Sequence, residues 1–210
     1  MPRSKIQFQE GLSLREFVNK YGTEEQCRDL LFKARWPDGY RCPKCSHELY
    51  YYVQTRRVFQ CRQCRHQHSL ITNTIFTSSK LPLTVWFLAI FFMTQSKEGM
   101  AALPMSRYLG ISFNAAIRMK HKLQMVMKQA DDVQPLFGLV QIDDAYWGGK
   151  RHGCKRGRGA AGKTPMIAAL SRDTKGYPRH IRFSRVAGFS SDEIKRWSEK
   201  HLAPKRAVFT

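Results

Sequence analysis

The sequence lacks any apolar run long enough to cross a bilayer. The strongest one, from Leu81 to Met93, has a proline at its second position and stops after 13 residues, short of the roughly 20 that a membrane-spanning helix needs. We therefore interpret it as a buried helix and expect no membrane partner. The first ten residues, MPRSKIQFQE, also lack the apolar core of a secretory signal peptide.

Acidic residues are scarce. The chain has 16 Asp and Glu against 36 Lys and Arg, a net charge of +20, which is more than solubility requires and indicates a polyanionic partner, nucleic acid first. An anionic membrane surface is the alternative, but the basic residues are spread over several kinds of segment and do not form one amphipathic helix. A hydrophobic content of 42% over 210 residues predicts one or two domains with a real core.

The chain has only six cysteines, too few for a dense disulfide scaffold, and four of them are paired in two CxxC units. Cys42 and Cys45 form CPKC, Cys61 and Cys64 form CRQC, and 15 residues separate the two units. This spacing is typical of zinc sites. Four thiolates fill a tetrahedral shell, so the predicted Zn2+ is structural. Such cysteine usage favours a reduced, intracellular metal binder over a disulfide scaffold.

The segment between the two cysteine pairs predicts a hairpin. LYYYVQ and RRVFQ flank a turn around Thr55, and a hairpin between two cysteine pairs makes a zinc ribbon. His47, His66 and His68 lie close by and could replace a cysteine ligand, but we favour the four cysteines. We expect His66 and His68 to be solvated or to face phosphate. Bound zinc would supply on the order of 10 kcal/mol of folding free energy.

Two short helices are predicted before the ribbon. Ser13 caps LREFVNKYG, and Thr23 with Gln26 forms a capping-box signature ahead of CRDLLFKARW. Cys27 lies on the apolar face of the second helix. We expect it to be a core residue and not a reactive thiol.

After the ribbon the apolar pattern becomes helical. We predict helices from Leu83 to Gln95 and from Ala101 to Leu109, and a third that Ser112 caps. The last two, joined by a short turn at Gly110, resemble a helix-turn-helix whose second helix enters the DNA major groove. That helix carries the basic residues that we assign to DNA contact, Arg118, Lys120 and Lys122. An ordinary helical bundle with a solvated basic face is the alternative.

Further along the chain, a short apolar run is followed by two adjacent acidic residues. LVQIDDAYWGGK, from Leu139 to Lys150, is typical of a strand that ends in a tight turn. Asp143 and Asp144 lie on this strand, where a charge is costly unless a cation or a donor compensates it. The alternative is that both lie in an exposed turn, where acids are common.

A glycine-rich basic loop follows, GGKRHGCKRGRGAAGKT. We predict that its backbone amides and basic side chains hold DNA phosphates. The basic residues concerned are Lys150, Arg151, Lys155, Arg156, Arg158 and Lys163. Gly157 to Thr164 also matches a P-loop pattern, but a P-loop leaves a buried strand and opens into a helix. Here Pro165 leads into the strand-like run MIAAL, which argues against nucleotide binding.

The remaining sequence predicts strand, strand, helix and strand. MIAALSRD and PRHIRFSRVAG form two strands around a glycine turn. A helix capped by Ser190 or Ser191 then ends near His201. Asp192 and Glu193 fall in its first turn, where the helix dipole favours acids, so we do not expect them to be catalytic. AVFT begins a further strand.

The order of these elements resembles the zinc-ribbon insertion-sequence transposases of the ISXO type, which belong to the DDE superfamily. The resemblance covers nearly the whole chain: the ribbon cysteines, the RWPDGY lead-in, the KLPLTVW entry to the helices, and the DDAYWGGK strand with its RGRG and GKTP loop. It implies an RNase H-like catalytic domain and places that family's first catalytic carboxylate at Asp143. The neighbouring residue is usually Glu and is Asp144 here, and Asn73 stands where a Gly is usual.

The resemblance also implies the chemistry, which is DNA transposition by Mg2+-dependent phosphoryl transfer. The implied partner is DNA, with the terminal inverted repeats of the element as the expected site, and a homo-oligomer is a further expectation. The expected location is the bacterial cytoplasm, in association with the nucleoid. In the family a second acid follows the fourth strand and a third ligand lies on a later helix. We therefore expect a C-terminally truncated copy, and Mg2+ only in a complete catalytic domain.

Together these patterns predict an α+β multidomain chain. The expected segments are an N-terminal helical hairpin (1–36), a zinc ribbon (37–80), a helix-turn-helix-like DNA-binding segment (81–132) and the first part of an RNase H-like α/β domain (133–210). The alternative function is a non-catalytic zinc-ribbon DNA-binding regulator. That function would explain the charge and the helices but not the strand that carries Asp143.

Overall fold

A computed structural model describes residues 11–95, 99–148 and 162–204, together with the backbone of 207–209. The chain forms two compact units, Met1–Val126 and Met127–Thr210. The expected helical hairpin, ribbon and most of the helix-turn-helix-like segment fall in the first unit. The strand of Asp143 falls in the second.

The first unit opens with two capped helices, α1 (Leu14–Tyr21) and α2 (Glu24–Arg35). Each begins with a capping box, in which the cap side chain accepts a backbone N–H and the third helical residue reaches back to the cap amide. The caps are Ser13 and Thr23, so both predicted helix starts are confirmed. Cys27 is fully buried, and burial raises the pKa of its thiol to about 11, as expected for a core residue.

Helix α3 (Leu83–Gln95) lies in the centre of the first unit, which explains why its sequence is apolar on all sides. Its first amides are capped from another helix: the Glu24 carboxylate accepts hydrogen bonds from the N–H groups of Leu83 and Thr84, at 2.9 and 3.3 Å. The bounds agree with the predicted helix. None of the described helices has the length and apolar character that a bilayer span requires.

Helices α4 (Ala102–Leu109) and α5 (Phe113–Val133) complete this unit's helical part. Gly110 ends α4 with φ +63°, a left-handed conformation that glycine adopts without steric strain. The Ser112 hydroxyl accepts the Ala115 N–H at 3.2 Å, which confirms the predicted cap of α5. The buried residues of these helices join those of α2 and α3 in one apolar core: Cys27, Phe76, Leu83, Trp86, Ala89, Met105, Ala116, Met119 and Leu123.

The ribbon is a three-stranded antiparallel sheet. Strands β1 (Tyr50–Val53) and β2 (Val58–Cys61) form the predicted hairpin, and β3 (Gln67–Ser69), which we did not predict, pairs with β2. An aromatic core lies on one face of this sheet, formed by residues of the lead-in segment and the strands: Trp36, Tyr40, Phe59 and Leu70, with Tyr50 and Tyr52 partly buried beside them.

The second unit is built on a four-stranded sheet. Its strands are β4 (Leu139–Trp147), β5 (Thr164–Arg172), β6 (Pro178–Arg185) and β7 (Ala207–Phe209). The spatial order is β6-β5-β4-β7, with antiparallel pairing except between β4 and β7, which are parallel. The predicted order of strand, strand, strand, helix and strand is therefore confirmed.

Helix α6 (Ser191–His201), which lies between β6 and β7 in the sequence, covers one face of the sheet. The buried residues on that side belong to alternate positions of the strands and to the helix: Val140, Ile167, Ala169, Val186 and Trp197, with Leu136 beside them. The opposite face is open in the described part of the chain, where Ile181 and Phe183 are 55% and 60% exposed. The Ser190 hydroxyl accepts the Glu193 N–H, so the predicted start of α6 is confirmed.

Helix α5 ends at Val133, next to the expected segment boundary between residues 132 and 133. Its last turn is tied to β6, because the buried guanidinium of Arg182 binds the Asp131 carboxylate through Nε at 3.0 Å and also donates to the backbone carbonyl of Asp131. His180 holds the other carboxylate oxygen at 2.5 Å. Burial alone would raise the pKa of Asp131, but these two partners lower it.

Candidate metal centre and catalytic strand

The four predicted cysteines converge on one point. All four Sγ atoms lie within 4.8 Å of one another. The sulfurs of Cys42 and Cys64 are 3.6 Å apart, and Cys45 lies 3.5 Å from Cys61 and 3.4 Å from Cys64. A disulfide would bring two sulfurs to about 2.05 Å. These distances instead approach the edge of about 3.8 Å that a tetrahedral zinc site with 2.3 Å bonds would have.

Each CxxC pair forms the same tight knuckle. The residue after the second cysteine has a left-handed backbone, with φ +60° at Ser46 and +58° at Arg65. In both knuckles the first cysteine donates its N–H to the carbonyl five residues on, Cys42 to His47 and Cys61 to His66. Left-handed non-glycine residues cost stability, and two equivalent ones at one cluster fit turns that are held by a bound metal.

The electrostatics of the cluster favour a cation. Burial acts to raise the pKa of Cys42, but the amides of Lys44 and Cys45 and the neighbouring thiols outweigh it and lower the pKa to about 6. The His47 amide acts to lower the pKa of Cys45, yet burial and the other sulfurs raise it to about 12. The opposite shifts of Cys42 and Cys45 indicate that neighbouring thiolates in this cluster repel one another. A divalent cation of the soft type that binds thiolates, such as Zn2+, would remove that conflict.

The histidines near the knuckles do not join this cluster. His68 was expected to be solvated or phosphate-facing, and this expectation is wrong: the residue is only 6% exposed. Its ring stacks on Tyr40 and meets the edge of Trp36, each at a centroid distance of 5.6 Å. Because β3 pairs with β2, His68 lies opposite Phe59 on the inner face of the ribbon. The unpredicted third strand is the reason for the error.

Asn73, which stands where the resemblance leads us to expect Gly, has φ +59°. Glycine adopts this left-handed conformation without strain, and asparagine is among the side chains that tolerate it best. The substitution therefore keeps the backbone of the ribbon's exit segment.

Strand β4 presents its two carboxylates to opposite sides. Asp143 is exposed and lies on the open face, whereas Asp144 is half-buried on the face that α6 covers. The register places Asp143 beside Ala168 of β5, and Ala168 beside Phe183 of β6. The exposed-turn alternative is therefore wrong, because both acids lie within a paired strand.

No further acid joins Asp143 in the described part of the chain. Asp173 occupies the turn between β5 and β6, where its carboxylate accepts the N–H groups of Lys175 and Tyr177 at 2.9 Å each. Asp192 and Glu193 lie in the first turn of α6, as predicted. The described residues thus offer one exposed carboxylate on this face, which does not fit a pair of metal ions about 4 Å apart.

The basic residues of α5 fall into two groups. Arg118 is exposed and Lys120 is half-buried. Lys122 is engaged within its own unit, since its ammonium donates to the carbonyls of Ile75 and Thr77 at 3.1 and 2.9 Å and lies over the Trp86 ring.

The loop after β4 lies largely outside the described residues. Five of the predicted DNA contacts belong to that undescribed stretch: Lys150, Arg151, Lys155, Arg156 and Arg158. Lys163 is described and half-buried, immediately before β5. Thr164 begins a strand and not a helix, so the element that a P-loop requires after its lysine is not present there.

Comparison with known proteins identifies two parts of the chain. Residues 22–67 match the transposase zinc-ribbon domain of the IS1595 type, and residues 135–210 match the ISXO2-like transposase domain. A relative from Halobacterium salinarum, described as an uncharacterized protein in transposable element ISH50, is 27% identical over 188 residues. The alignment covers 81% of this chain and 62% of that protein's length. No solved structure matches.

The two matched regions contain the cysteine cluster and the strand of Asp143, in the same order along the chain. The relative that matches most of the chain also comes from a transposable element. The chain therefore contains a transposase zinc-ribbon domain of the IS1595 type and an ISXO2-like transposase domain.

Proposed function

We propose that this chain acts on DNA as an insertion-sequence transposase, with Asp143 as the first catalytic carboxylate. The observation that carries the proposal is the position of Asp143, exposed on the open face of the central strand β4 within the ISXO2-like region. An acid in such a place has no structural role in the sheet core. It is available to hold a cation against a substrate phosphate.

The sheet supports an RNase H-like assignment for this region. Three antiparallel strands are followed by a helix and a strand that returns parallel to the first. This is the element order that the family resemblance implies. In that arrangement the first strand is central, so its carboxylate can be approached by ligands from neighbouring elements.

Zinc has a structural role in the proposal. Cys42, Cys45, Cys61 and Cys64 fit a closed tetrahedral site, which leaves no position for substrate. The ion would hold the two knuckles together and so fix the ribbon sheet and its aromatic core. We propose that the ribbon is one of the DNA-binding parts of the protein, consistent with the large positive charge of the chain.

Helices α4 and α5 are the second proposed DNA-binding element. They are joined by the three residues 110–112, which is the length of turn that a helix-turn-helix uses. On α5 we assign Arg118 and Lys120 to DNA contact. Lys122 is reassigned to a structural role, because its ammonium donates to two carbonyls of the segment before α3.

The catalytic step needs more ligands than the described residues bring together. Mg2+ supplies charge stabilisation for phosphoryl transfer when a set of carboxylates holds it. Asp143 provides one such group, and no second acid of the described chain lies beside it. We therefore expect the purified 210-residue chain to bind DNA without metal-dependent strand transfer, and robust strand transfer would contradict this expectation.

DNA binding is tested with two fluorescent duplexes of equal length, one carrying the terminal inverted repeat of the element and the other a shuffled sequence. We expect zinc-loaded chain to prefer the repeat by about tenfold or more at physiological salt. Equal affinity for both duplexes, or no binding to either, would contradict the proposal. A footprint confined to a promoter, with no protection of the repeats, would support the alternative of a non-catalytic zinc-ribbon regulator.

A further inference from the structure

A notch in the second unit lies where β5 begins and β6 ends. It has a volume of about 370 Å³ and opens to solvent. Its lining consists of Lys163, Thr164, Pro165, Arg185, Val186 and Ala187. Lys163 is among the basic residues that we assign to DNA phosphates above, whereas Arg185 has no role in any of those assignments.

The lining of the notch is positively charged. The nearest acid is Glu193, whose carboxylate accepts the N–H of the lining residue Ala187 at 3.3 Å and is paired with Arg196. Lys163 and Arg185 are its only charged lining residues, and neither is found in an ion pair with another described residue. Other arginines of this unit differ: Arg179, on the same strand as Arg185, pairs with Asp173 at 3.4 Å, and Arg196 pairs with Glu193 at 2.8 Å. Two cations that share a concave surface and form no ion pair with a described acid favour an anionic ligand.

The register places Arg185 on the same face of the sheet as Asp143. Arg185 pairs with Met166, and Met166 pairs with Ala145, two residues beyond Asp143 on β4. Paired residues of neighbouring strands point to the same side, as do residues two apart on one strand. From ideal strand spacings, the Cα atoms of Arg185 and Asp143 are about 12 Å apart, a distance that a short stretch of one DNA strand can span.

Lys163 packs closely against Gly148, the glycine that directly follows β4. Gly148 has φ +153°, and a Cβ added there would lie 3.3 Å from Cγ of Lys163. The missing side chain leaves room for the aliphatic part of the lysine. Lys163 therefore packs against the residue that directly follows β4, the strand that carries Asp143.

We propose that this notch binds a phosphodiester group of the DNA strand that is presented to Asp143, with Arg185 and Lys163 as its cationic contacts. The proposal rests on the proposed transposase function and adds a specific phosphate site to it. A guanidinium can donate two parallel hydrogen bonds to two phosphate oxygens, whereas the lysine ammonium acts as a point charge. Together they would fix the position of the strand a few nucleotides from the carboxylate.

The test measures the salt dependence of duplex binding by the full chain, from 50 to 200 mM KCl, using fluorescence anisotropy. The variants are Arg185→Ala and Lys163→Ala, with Arg179→Ala as the matched control, because it removes the same charge from the same strand outside the notch. Each notch substitution should weaken binding several-fold at 100 mM KCl and lower the slope of log K against log salt by about one unit. The control should leave the slope unchanged.

Three further results decide between the explanations. Equal salt slopes for Arg185→Ala and Arg179→Ala would mean that only the net charge of the chain matters, and would overturn the notch proposal. In that case the proposed function would still stand, because the wild-type chain binds DNA. Absence of DNA binding by the wild-type chain would overturn the proposed function itself. Competition of inorganic phosphate with duplex at equal phosphate concentration would show a free-anion site and would also overturn the proposal. Unfolding curves that coincide for wild type and Arg185→Ala confirm that folding is not the cause.

Discussion

Asp143 and Asp144 are adjacent in sequence but point to opposite faces of β4. Asp143 lies on the open face beside Ala168, and Asp144 lies on the α6 side beside Ile167, a fully buried core residue. Strand geometry alone produces this separation, because successive side chains alternate between the two faces. The two acids are therefore a natural pair for testing which of them is functional.

The first prediction concerns divalent cations at Asp143. Millimolar Mn2+ should broaden the NMR amide signals of Asp143 and of Ala168 opposite it, because a bound paramagnetic ion relaxes nearby nuclei. Asp143→Asn should abolish this broadening, since the amide lacks the negative charge, while Asp144→Asn should preserve it. Broadening that survives in Asp143→Asn, or that disappears only in Asp144→Asn, would show that the wrong carboxylate has been assigned.

The second prediction concerns the metal centre. Cys61→Ser should lose the bound zinc and unfold the ribbon, because a structural zinc site supplies on the order of 10 kcal/mol of folding free energy. Metal content by elemental analysis and near-UV circular dichroism measure the two effects. Cys27→Ala is the control: it removes a buried thiol outside the cluster, so it should lower stability and keep one zinc. Tight binding of one zinc by Cys61→Ser would refute the ligand set.

The third prediction concerns pH. Burial, followed by the positive charges of Arg35 and His66, lowers the pKa of His68 from 6.5 to about 4. The neutral ring is therefore favoured in the folded state, and its contribution to stability is complete above pH 6.5. It is lost as the pH falls from 6.5 towards 4, because the unfolded chain then binds a proton that the folded one resists.

At pH 5 this shift corresponds to about 2 kcal/mol of lost stability relative to pH 7.5. Denaturant unfolding at both pH values, in wild type and His68→Phe, isolates the effect from protonation of the zinc ligands, which both proteins share. The variant should lose about 2 kcal/mol less than wild type between the two pH values. The same pH dependence in both proteins would mean that His68 does not titrate as described.

The fourth prediction separates two basic residues of α5. Lys122→Met should reduce the free energy of unfolding by about 1.5–3 kcal/mol, because it removes charged hydrogen bonds to the carbonyls of Ile75 and Thr77. Arg118→Met should leave stability nearly unchanged and lower the salt slope of DNA binding by about one unit. Urea unfolding and anisotropy titrations on the same preparations measure both quantities. If Lys122→Met instead lowered the salt slope and Arg118→Met instead lowered stability, Lys122 would be the DNA contact and Arg118 would not.

Local sequence rules accounted for much of the fold. The caps at Ser13, Thr23, Ser112 and Ser190 follow from short-range hydrogen bonding within a few residues, and each is observed. The cysteine spacing was sufficient for the metal cluster, because two rigid knuckles on a hairpin can place four sulfurs only around one point. The short apolar run of β4 and the glycine pair that follows it were likewise sufficient to predict a strand.

Features that depend on contacts between distant parts of the sequence could not be predicted from these local rules. The third ribbon strand has three residues, too few to show a period, yet its pairing with β2 buries His68. Lys122 finds its carbonyl partners 45 and 47 residues away, and basic spacing along a helix does not reveal such partners. Arg185 was not singled out because its significance depends on the register of three strands.

By itself, the sequence determined the four-cysteine cluster, the starts of the helices and the strand that carries the two acids, since each depends on spacing or on hydrogen bonds within a few residues. The tertiary structure decided which face of that strand is open, because only the packing of α6 on one side distinguishes Asp143 from Asp144. It also decided the end of α5, where Asp131 is held by Arg182, 51 residues further along the chain. Burial of that guanidinium requires a carboxylate partner, and only the folded sheet brings the two together.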